Sequence, residues 1–211
     1  MAYIGNFPTD PGFRAARFRQ QTLTKKTETA SGRTVRVTNS TTIWKGVLTF
    51  PAMDLSEFKP VQAFVARCQG PLNEFDIVIP TISQTTALFP NQVTFANSDA
   101  SAGATSIECY ATNGGSPIAS SVILKAGDVI RFYNHTKVYM VTEDVTTNAS
   151  GIATINFQPN LVAAVQGNDS ALQLITCNDV PFRMILANDI QEFAYRNDGI
   201  VEYEIDVQEV L

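Results

Sequence analysis

Histidine, tryptophan and cysteine are scarce in this 211-residue chain, which has one histidine, one tryptophan and three cysteines. A metal site built from several histidines is impossible, and the cysteines form no Cys-x-x-Cys pair of the kind that holds structural zinc. Cys68, Cys109 and Cys177 are an odd number at wide spacings, which argues against a disulfide framework. We expect all three to be reduced residues that pack in the interior. We predict neither a bound metal nor a cofactor.

Long apolar runs are missing too. No stretch approaches the roughly 18 consecutive apolar residues that a membrane-spanning helix requires. Residues 1–8 have neither the basic start nor the apolar core of a secretory signal. We therefore expect synthesis in a cytoplasm and no membrane partner.

Recognisable catalytic motifs are also absent. No Gly-x-Ser-x-Gly elbow accompanies His135, and Gly114-Gly115 lacks the following Lys-Ser/Thr of a phosphate-binding loop. We predict His135 to be an exposed turn residue and not a catalytic base. The pairs Glu143–Asp144 and Glu202–Glu204 could in principle supply the two carboxylates of a glycosidase, but we expect them to lie on the surface. We predict that the protein is not an enzyme.

A calcium site is conceivable from three residues of the middle block, Asp128, Asp144 and Asn148. They lack the regular acidic spacing of a calcium-binding loop. We expect them to be turn-forming residues instead.

Acidic and basic residues are unevenly distributed. Residues 1–70 carry ten Lys and Arg against four acids, residues 71–175 carry three against eight, and residues 176–211 carry two against eight. A chain polarised in this way can bind copies of itself, or it can pair its own segments within one subunit, and the sequence leaves both possibilities open. The basic residues lack interleaved aromatics, which argues against a specific nucleic-acid site.

An alternating strand pattern stops after Pro80 and resumes near residue 176, with a block rich in Gly, Ser, Thr and Asn between them. The block predicts six short strands, at 105–111, 121–124, 128–134, 137–145, 151–158 and 171–176. We predict a mainly β fold in which residues 1–87 and 176–211 form one discontinuous domain. Residues 88–175 would be inserted in it as a small β-barrel or sandwich.

The outer segments predict one helix over residues 56–70, where apolar side chains recur at helical spacing. Residues 34–38 and 42–50 predict two strands that form a hairpin across Asn39-Ser40-Thr41. Residues 189–195 predict a further strand. Residues 200–207 alternate most clearly, with apolar side chains on one face and Glu202, Glu204 and Asp206 on the other.

Residues 33–80 resemble a unit of tailed-phage distal tail proteins and related baseplate or tube-cap proteins. That unit is a basic, threonine-rich strand pair, a helix and a short strand ending in proline, here carried by Ser31-Gly32-Arg33, Trp44, Ala63-Phe64 and residues 74–80. The middle block is similar to a recurrent phage tail module at residues 124–130, 138–141 and 151–161. Residues 203–211 resemble the closing segment of the family.

The resemblance implies that the outer domain has the β-sandwich fold of a tail-tube protein and forms a hexameric ring at the distal end of the tail. The ring would be a structural virion component that joins the tail tube protein to a hub, baseplate or fibre protein and lets DNA pass without specific contact. The inserted domain would bind other baseplate proteins or, in some relatives, sugars. The alternatives are another tail component (tube, terminator or hub protein) or a monomeric carbohydrate-binding module, which would need exposed aromatics on the inserted domain, with Tyr110, Tyr133 and Tyr139 as the candidates.

A ring requires unlike surfaces on neighbouring copies. We expect a basic arm on one copy to face the acidic side of the last strand on the next. The residues of this predicted interface are Arg14, Arg17 and Arg19 on the arm and Glu202, Glu204 and Asp206 on the strand.

Overall fold

The computed structural model describes residues 1–87, 89, 91–167 and 173–210. The chain divides into two compact units, one formed by Met1–Ile77 with Arg183–Leu211 and the other by Val78–Phe182. The elements before the division are β1 (Tyr3–Asn6), β2 (Ala15–Glu28), β3 (Thr34–Thr49), β4 (Met53–Asp54), the helix α1 (Leu55–Cys68), a short 3-10 turn (Gly70–Leu72) and β5 (Glu74–Ile77).

Among the described residues, nine strands follow in the second unit and four more close the chain. Those of the second unit are β6 (Gln92–Ala96), β7 (Ser106–Asn113), β8 (Ser116–Pro117), β9 (Val122–Leu124), β10 (Val129–Phe132), β11 (Tyr139–Val141), β12 (Val145–Thr146), β13 (Ile152–Gln158) and β14 (Leu174–Thr176). The closing strands are β15 (Phe182–Leu186), β16 (Ala194–Tyr195), β17 (Ile200–Glu202) and β18 (Glu204–Glu209).

The second unit is a closed barrel. Its strand order is β13-β11-β10-β14-β6-β7, and pairing of β13 with β7 closes the circle. Apolar side chains from every wall fill the interior, with Phe132, Tyr139 and Phe157 in mutual edge-to-face contact. Because the barrel is closed, none of its six wall strands has a free edge. The short strand β8 is an addition that pairs with β7.

The predicted fold class is confirmed, because the fold is mainly β, has one α-helix among its described residues and carries a small β-barrel. The β-sandwich form of the outer domain stays a prediction. So do the domain limits at residues 87/88 and 175/176. Leu88 and residues 168–172 lie outside the described residues, and so do the first two residues of the predicted strand 171–176. No helix in the described part of the chain has the length and apolar character needed to cross a bilayer.

The first unit is built on a six-stranded sheet with the order β1-β5-β15-β18-β3-β2. Strands from both ends of the chain therefore share one sheet. The chain leaves this sheet after β5 and returns to it in the neighbouring strand β15. On β18 the alternation is as predicted, since Ile205 and Val207 are buried whereas Glu204 is exposed and Asp206 partly so.

Helix α1 begins one residue before its predicted start. Asp54 precedes it, and the backbone N–H of Asp54 donates to the Glu57 carboxylate at 3.2 Å, which is half of a capping box. The helix ends at Cys68, before Gln69 turns into the left-handed region. Pro60 is the sixth helical residue and not part of the first turn. Its missing N–H removes the hydrogen bond that the Ser56 carbonyl would otherwise accept.

Aromatic side chains join the helix to the sheets of the first unit. Tyr203, at the junction of β17 and β18, stacks on Phe50 with ring centroids 5.6 Å apart. The same ring meets Phe58 of α1 edge-on at 5.6 Å and Phe193 at 5.1 Å. Burial of these large rings supplies most of the apolar contact in this region.

The predicted hairpin across residues 39–41 is wrong, because β3 continues as one strand from Thr34 to Thr49. Strand β2 pairs with it on both sides of these residues, with a shift of register between Thr22 and Thr24. The turn lies instead at residues 29–33, where Gly32 supplies the left-handed conformation at φ 76°. Gly46 does not interrupt the strand either. The Phe18 ring of β2 covers it so closely that a Cβ there would lie 2.5 Å from Phe18 Cζ.

The predicted strand over residues 189–195 is also largely wrong, since only Ala194–Tyr195 is a strand. Residues 187–190 are exposed, and Ile190 is 85% exposed. The apolar residues of this segment therefore do not all pack inward, as the pattern suggests they should.

A charged cluster bridges β5 and β15 at the points where the chain leaves and re-enters the sheet. The Arg183 guanidinium donates to both Asp76 oxygens, from Nε at 2.7 Å and Nη2 at 3.2 Å, and lies 3.5 Å from Glu74. The Tyr3 ring covers the guanidinium at 4.2 Å. The hydrogen bonds to Asp76 raise the pKa of Arg183 above its ordinary value. We call Arg183 and Asp76 the clamp.

Replacing Arg183 with alanine should lower the free energy of unfolding by about 3 kcal/mol, because the buried Asp76 carboxylate would lose its ionic partner. The matched control is Arg196→Ala, whose ion pair with Glu202 is more than half exposed. That variant should lose about 0.5 kcal/mol. Urea unfolding of the two variants measures the difference, and equal losses would contradict the structural role of the clamp.

Candidate subunit interface

The residues predicted to form a subunit interface lie mostly on one face of one sheet. Arg17 of β2 is opposite Val47 of β3, which in turn is opposite Asp206 of β18. Residues directly opposite one another point to the same side of a sheet. Arg17 and Asp206 are thus on the same face, two strands or about 10 Å apart. Arg19 and Glu204 occupy further rows of that face.

The acidic residues are held in place by neighbouring polar groups. Glu204 accepts a hydrogen bond from the Thr49 hydroxyl at 3.0 Å, and Asp206 accepts one from the Asn188 amide at 2.8 Å. Glu202 belongs to the smaller sheet of β16, β17 and β4, where Arg196 Nη1 approaches it at 3.3 Å. All three carboxylates keep contact with solvent.

The three acidic residues and Arg14 line a single cleft of about 500 Å³. Its floor includes Phe50 and Tyr203. We call this feature the acidic cleft. Arg14 is placed there by its backbone N–H, which donates to the Thr49 carbonyl at 2.9 Å. The structure thus brings Arg14 beside the acidic residues within one subunit, whereas Arg17 and Arg19 do not line the cleft.

Sequence analysis missed two residues of the acidic cleft, Ile190 and Glu192. Both lie in the segment that was predicted to be a strand. Tyr203 is also part of the cleft, and its hydroxyl donates to the Gln191 amide oxygen at 2.9 Å. Burial raises the pKa of Tyr203 above its ordinary value, so this hydroxyl stays protonated and remains a donor at neutral pH.

His135 lies in the turn between β10 and β11 but is buried, so the prediction of an exposed side chain is wrong. Its Nδ1 is 2.7 Å from the Tyr139 hydroxyl. The same hydroxyl oxygen accepts the backbone N–H of Val162 at 3.2 Å, so it links His135 to the Val162 backbone. Burial lowers the pKa of His135 below its ordinary value of 6.5.

The stability of the barrel should therefore depend on His135 at mildly acidic pH. As the pH falls below about 6.5, His135 binds a proton in the unfolded chain but not in the folded chain. The contribution of neutral His135 to the free energy of unfolding is therefore complete above that pH and declines below it, by up to about 1.4 kcal/mol per pH unit. Thermal unfolding from pH 7 to pH 5 should show this decline in the wild type. His135→Gln, which removes the chain's single histidine, should be nearly flat over that range. Parallel profiles for the two proteins would contradict this assignment.

The residues considered for a calcium site each serve as local acceptors. Asp128 is buried and accepts from the Thr85 hydroxyl at 2.8 Å, the Thr86 hydroxyl at 2.9 Å and the Lys125 backbone at 2.9 Å. Asp144 accepts the Ala126 N–H at 2.9 Å, and Asn148 accepts the N–H of Ser150 at 2.8 Å. Within the described residues no group of three or more His, Cys, Asp or Glu is placed to hold a metal ion.

Asp128→Ala should destabilise the barrel by about 3 kcal/mol, because several buried donors would lose their acceptor at once. Asp144→Ala is the control, since its side chain is exposed and accepts a backbone hydrogen bond from Ala126. Thermal unfolding should rank the variants in this order with or without added calcium. A calcium-dependent rise in the wild-type melting temperature would support a metal site instead.

The three cysteines are buried and free, as predicted. Burial raises the pKa of Cys68 to about 11 and that of Cys109 and Cys177 to about 12. At neutral pH these thiols are protonated and therefore weak nucleophiles. They pack as small apolar side chains.

The three tyrosines considered for sugar binding occupy different environments. Tyr139 is fully buried in the barrel interior and cannot present its ring to a ligand. Tyr133 is 40% exposed, and Tyr110 is half-buried on β7. Of these three candidate aromatics, only Tyr133 is exposed.

Comparison with known families identifies the barrel. Residues 105–173 match the family model described as the B domain of the distal tail protein pb9. The match supports a phage distal tail protein. It confirms the resemblance inferred from the sequence and supports a structural phage tail protein, which is a component of the virion. No curated protein matches the chain.

The distal tail protein match covers most of the second unit. It begins beside β7 and ends just before β14, so it includes seven of the nine strands of that unit. The six-stranded sheet and the acidic cleft belong to the first unit, outside the matched residues.

Proposed function

We propose that this phage tail protein forms a ring at the distal end of the tail tube and joins the tube to a hub, baseplate or fibre protein. The match of residues 105–173 to the distal tail protein B domain carries the proposal. In this view the role is structural and not enzymatic. Assembly takes place in the bacterial cytoplasm, and DNA passes through the ring without sequence-specific contact.

Two properties of the six-stranded sheet support ring formation. The sheet ends in β1 on one side and β2 on the other, so its two edges have different sequences. Edge strands offer backbone groups for pairing with another chain. Contacts between unlike surfaces, repeated by rotation, close into a ring.

The six residues predicted for the interface remain part of the proposal. Glu202, Glu204 and Asp206 would form the acidic side of the contact. The basic side would be supplied by β2 and the residue that precedes it, including Arg14, Arg17 and Arg19. Opposite charges on the two sides would orient each copy in the same head-to-tail sense.

Mass photometry at low salt tests ring formation. We expect a species of about 138 kDa, six times the 23.0 kDa chain, to increase with protein concentration. A chain that stays monomeric at every concentration would contradict the ring and favour a carbohydrate-binding module.

Charge reversal tests the acidic side. The variant Glu202→Lys/Glu204→Lys/Asp206→Lys should assemble at least about tenfold more weakly than the wild type at low salt, because repulsion replaces attraction at the contact. Glu108→Lys/Glu143→Lys, on the barrel, is the control for a general change of charge. Unchanged assembly of the triple variant would remove these residues from the interface.

A further inference from the structure

The β2–β3 hairpin is much longer than the sheet that supports it. Strand β18 pairs with β3 only from Lys45 to Thr49, whereas β2 pairs with β3 as far as Glu28 opposite Thr34. Residues 22–42 thus form a two-stranded ribbon, and its end at Thr34 lies about 36 Å beyond Lys45, the last β3 residue that β18 pairs with. We call this segment the distal ribbon. A two-stranded hairpin without a covering layer is at best marginally stable in water.

The distal ribbon exposes apolar and basic side chains together. Every described side chain from residue 21 to residue 37 is exposed. Val35 is 45% and Val37 58% exposed, and these residues share one face of the ribbon with Lys25, which is opposite Val37. The segment carries four cations against the single acid Glu28, namely Lys25, Lys26, Arg33 and Arg36.

The acidic cleft has the complementary composition. Four carboxylates and one guanidinium line it, those of Glu192, Glu202, Glu204, Asp206 and Arg14. Ile190, which also lines the cleft, has 85% of its surface exposed and can cover an apolar residue of a partner. The net charge of the distal ribbon is +3 and that of the cleft is −3.

A ribbon cannot reach the cleft of its own subunit. The cleft lies beside Thr49, at the end of β3 where Glu204 pairs. Val37 is twelve residues away along the same strand, which corresponds to about 40 Å in an extended conformation. The ribbon therefore extends away from the cleft, and a second copy is the partner of matching charge that this chain itself provides.

We propose that the distal ribbon of one copy docks in the acidic cleft of the next copy, with its valine face against Ile190 and its lysines among the carboxylates. This contact rests on the proposed ring and adds the distal ribbon to the basic residues proposed for its basic side. It is heterologous, because ribbon and cleft lie at opposite ends of β3. Each copy in a closed ring would then have its ribbon covered and its cleft occupied.

Zero-length carbodiimide coupling of the wild-type protein tests the contact directly. Protein labelled with ¹⁵N is mixed with unlabelled protein, and the coupled peptides are identified by mass spectrometry. We expect mixed-isotope links between Lys25 or Lys26 and one of the four cleft carboxylates. Coupling of these lysines only to other carboxylates, in a protein that forms the ring, would overturn the ribbon contact and leave the ring intact.

A charge exchange gives a second, independent test. Variant one carries Lys25→Glu, Lys26→Glu and Arg36→Glu, and variant two carries Glu192→Lys, Glu202→Lys and Glu204→Lys. Each alone should assemble at least about tenfold more weakly than the wild type, because its own ribbon and cleft then have like charges. An equimolar mixture should recover assembly, since each ribbon again meets a cleft of opposite charge.

The control variant is Lys59→Glu/Lys125→Glu, which changes charge at exposed positions outside both surfaces. Circular dichroism establishes that every variant is folded. The proposal would be overturned if variant one assembled at the same protein concentration as the wild type. It would also be overturned if the mixture assembled no more strongly than either variant alone. Duplex DNA binding gives a further outcome. If the wild type binds duplex DNA, and variant one loses that binding but still assembles, the ribbon is assigned to nucleic acid and the proposal is overturned. Head-to-tail dimers that couple through Lys25 or Lys26 but never close would support the contact and refute the ring.

Discussion

The hydrogen-bonded pair of Arg183 and Asp76 fastens together the two points at which the chain leaves and re-enters the six-stranded sheet. Between them runs an excursion of 105 residues, Val78–Phe182. Closing so long a segment has an entropic cost, but that cost rises only slowly with length. A bidentate, partly buried ion pair with an aromatic lid is well suited to offset it. Because β5 and β15 are neighbouring strands, formation of the sheet does not depend on which residues connect them.

Local patterns in the sequence were sufficient for much of this architecture. Period-two alternation gave the buried face of residues 200–207 correctly, although the single predicted strand is divided into β17 and β18 in two different sheets. Helical spacing gave α1 to within two residues at its C-terminal end. The strands of the barrel are short, and each ends where Gly, Asn or Asp permits a sharp turn. Clusters of these residues in the sequence therefore indicated where the strands lie. These features depend on near neighbours in the chain, so one sequence is enough to predict them.

Features that depend on distant partners were harder to predict. Asn39-Ser40-Thr41 has the composition of a turn, yet its backbone continues in β3 because β2 pairs with β3 on both sides of these residues, with a shift of register between Thr22 and Thr24. His135 is buried because its imidazole packs in the barrel and hydrogen-bonds with the Tyr139 hydroxyl. The residues next to His135 in the sequence do not indicate this burial. The acidic cleft combines Arg14 with residues nearly 200 positions later, so charge counts indicated its sign but not its walls.

The adjacency of the exit and return strands has an evolutionary consequence. Any domain whose termini lie close together could replace the barrel between residues 77 and 183 without disturbing the registry of the surrounding sheet. Recombination confined to that interval would exchange the appendage while conserving the scaffold. The inserted unit and the sheet that holds its ends could therefore change independently of one another in sequence.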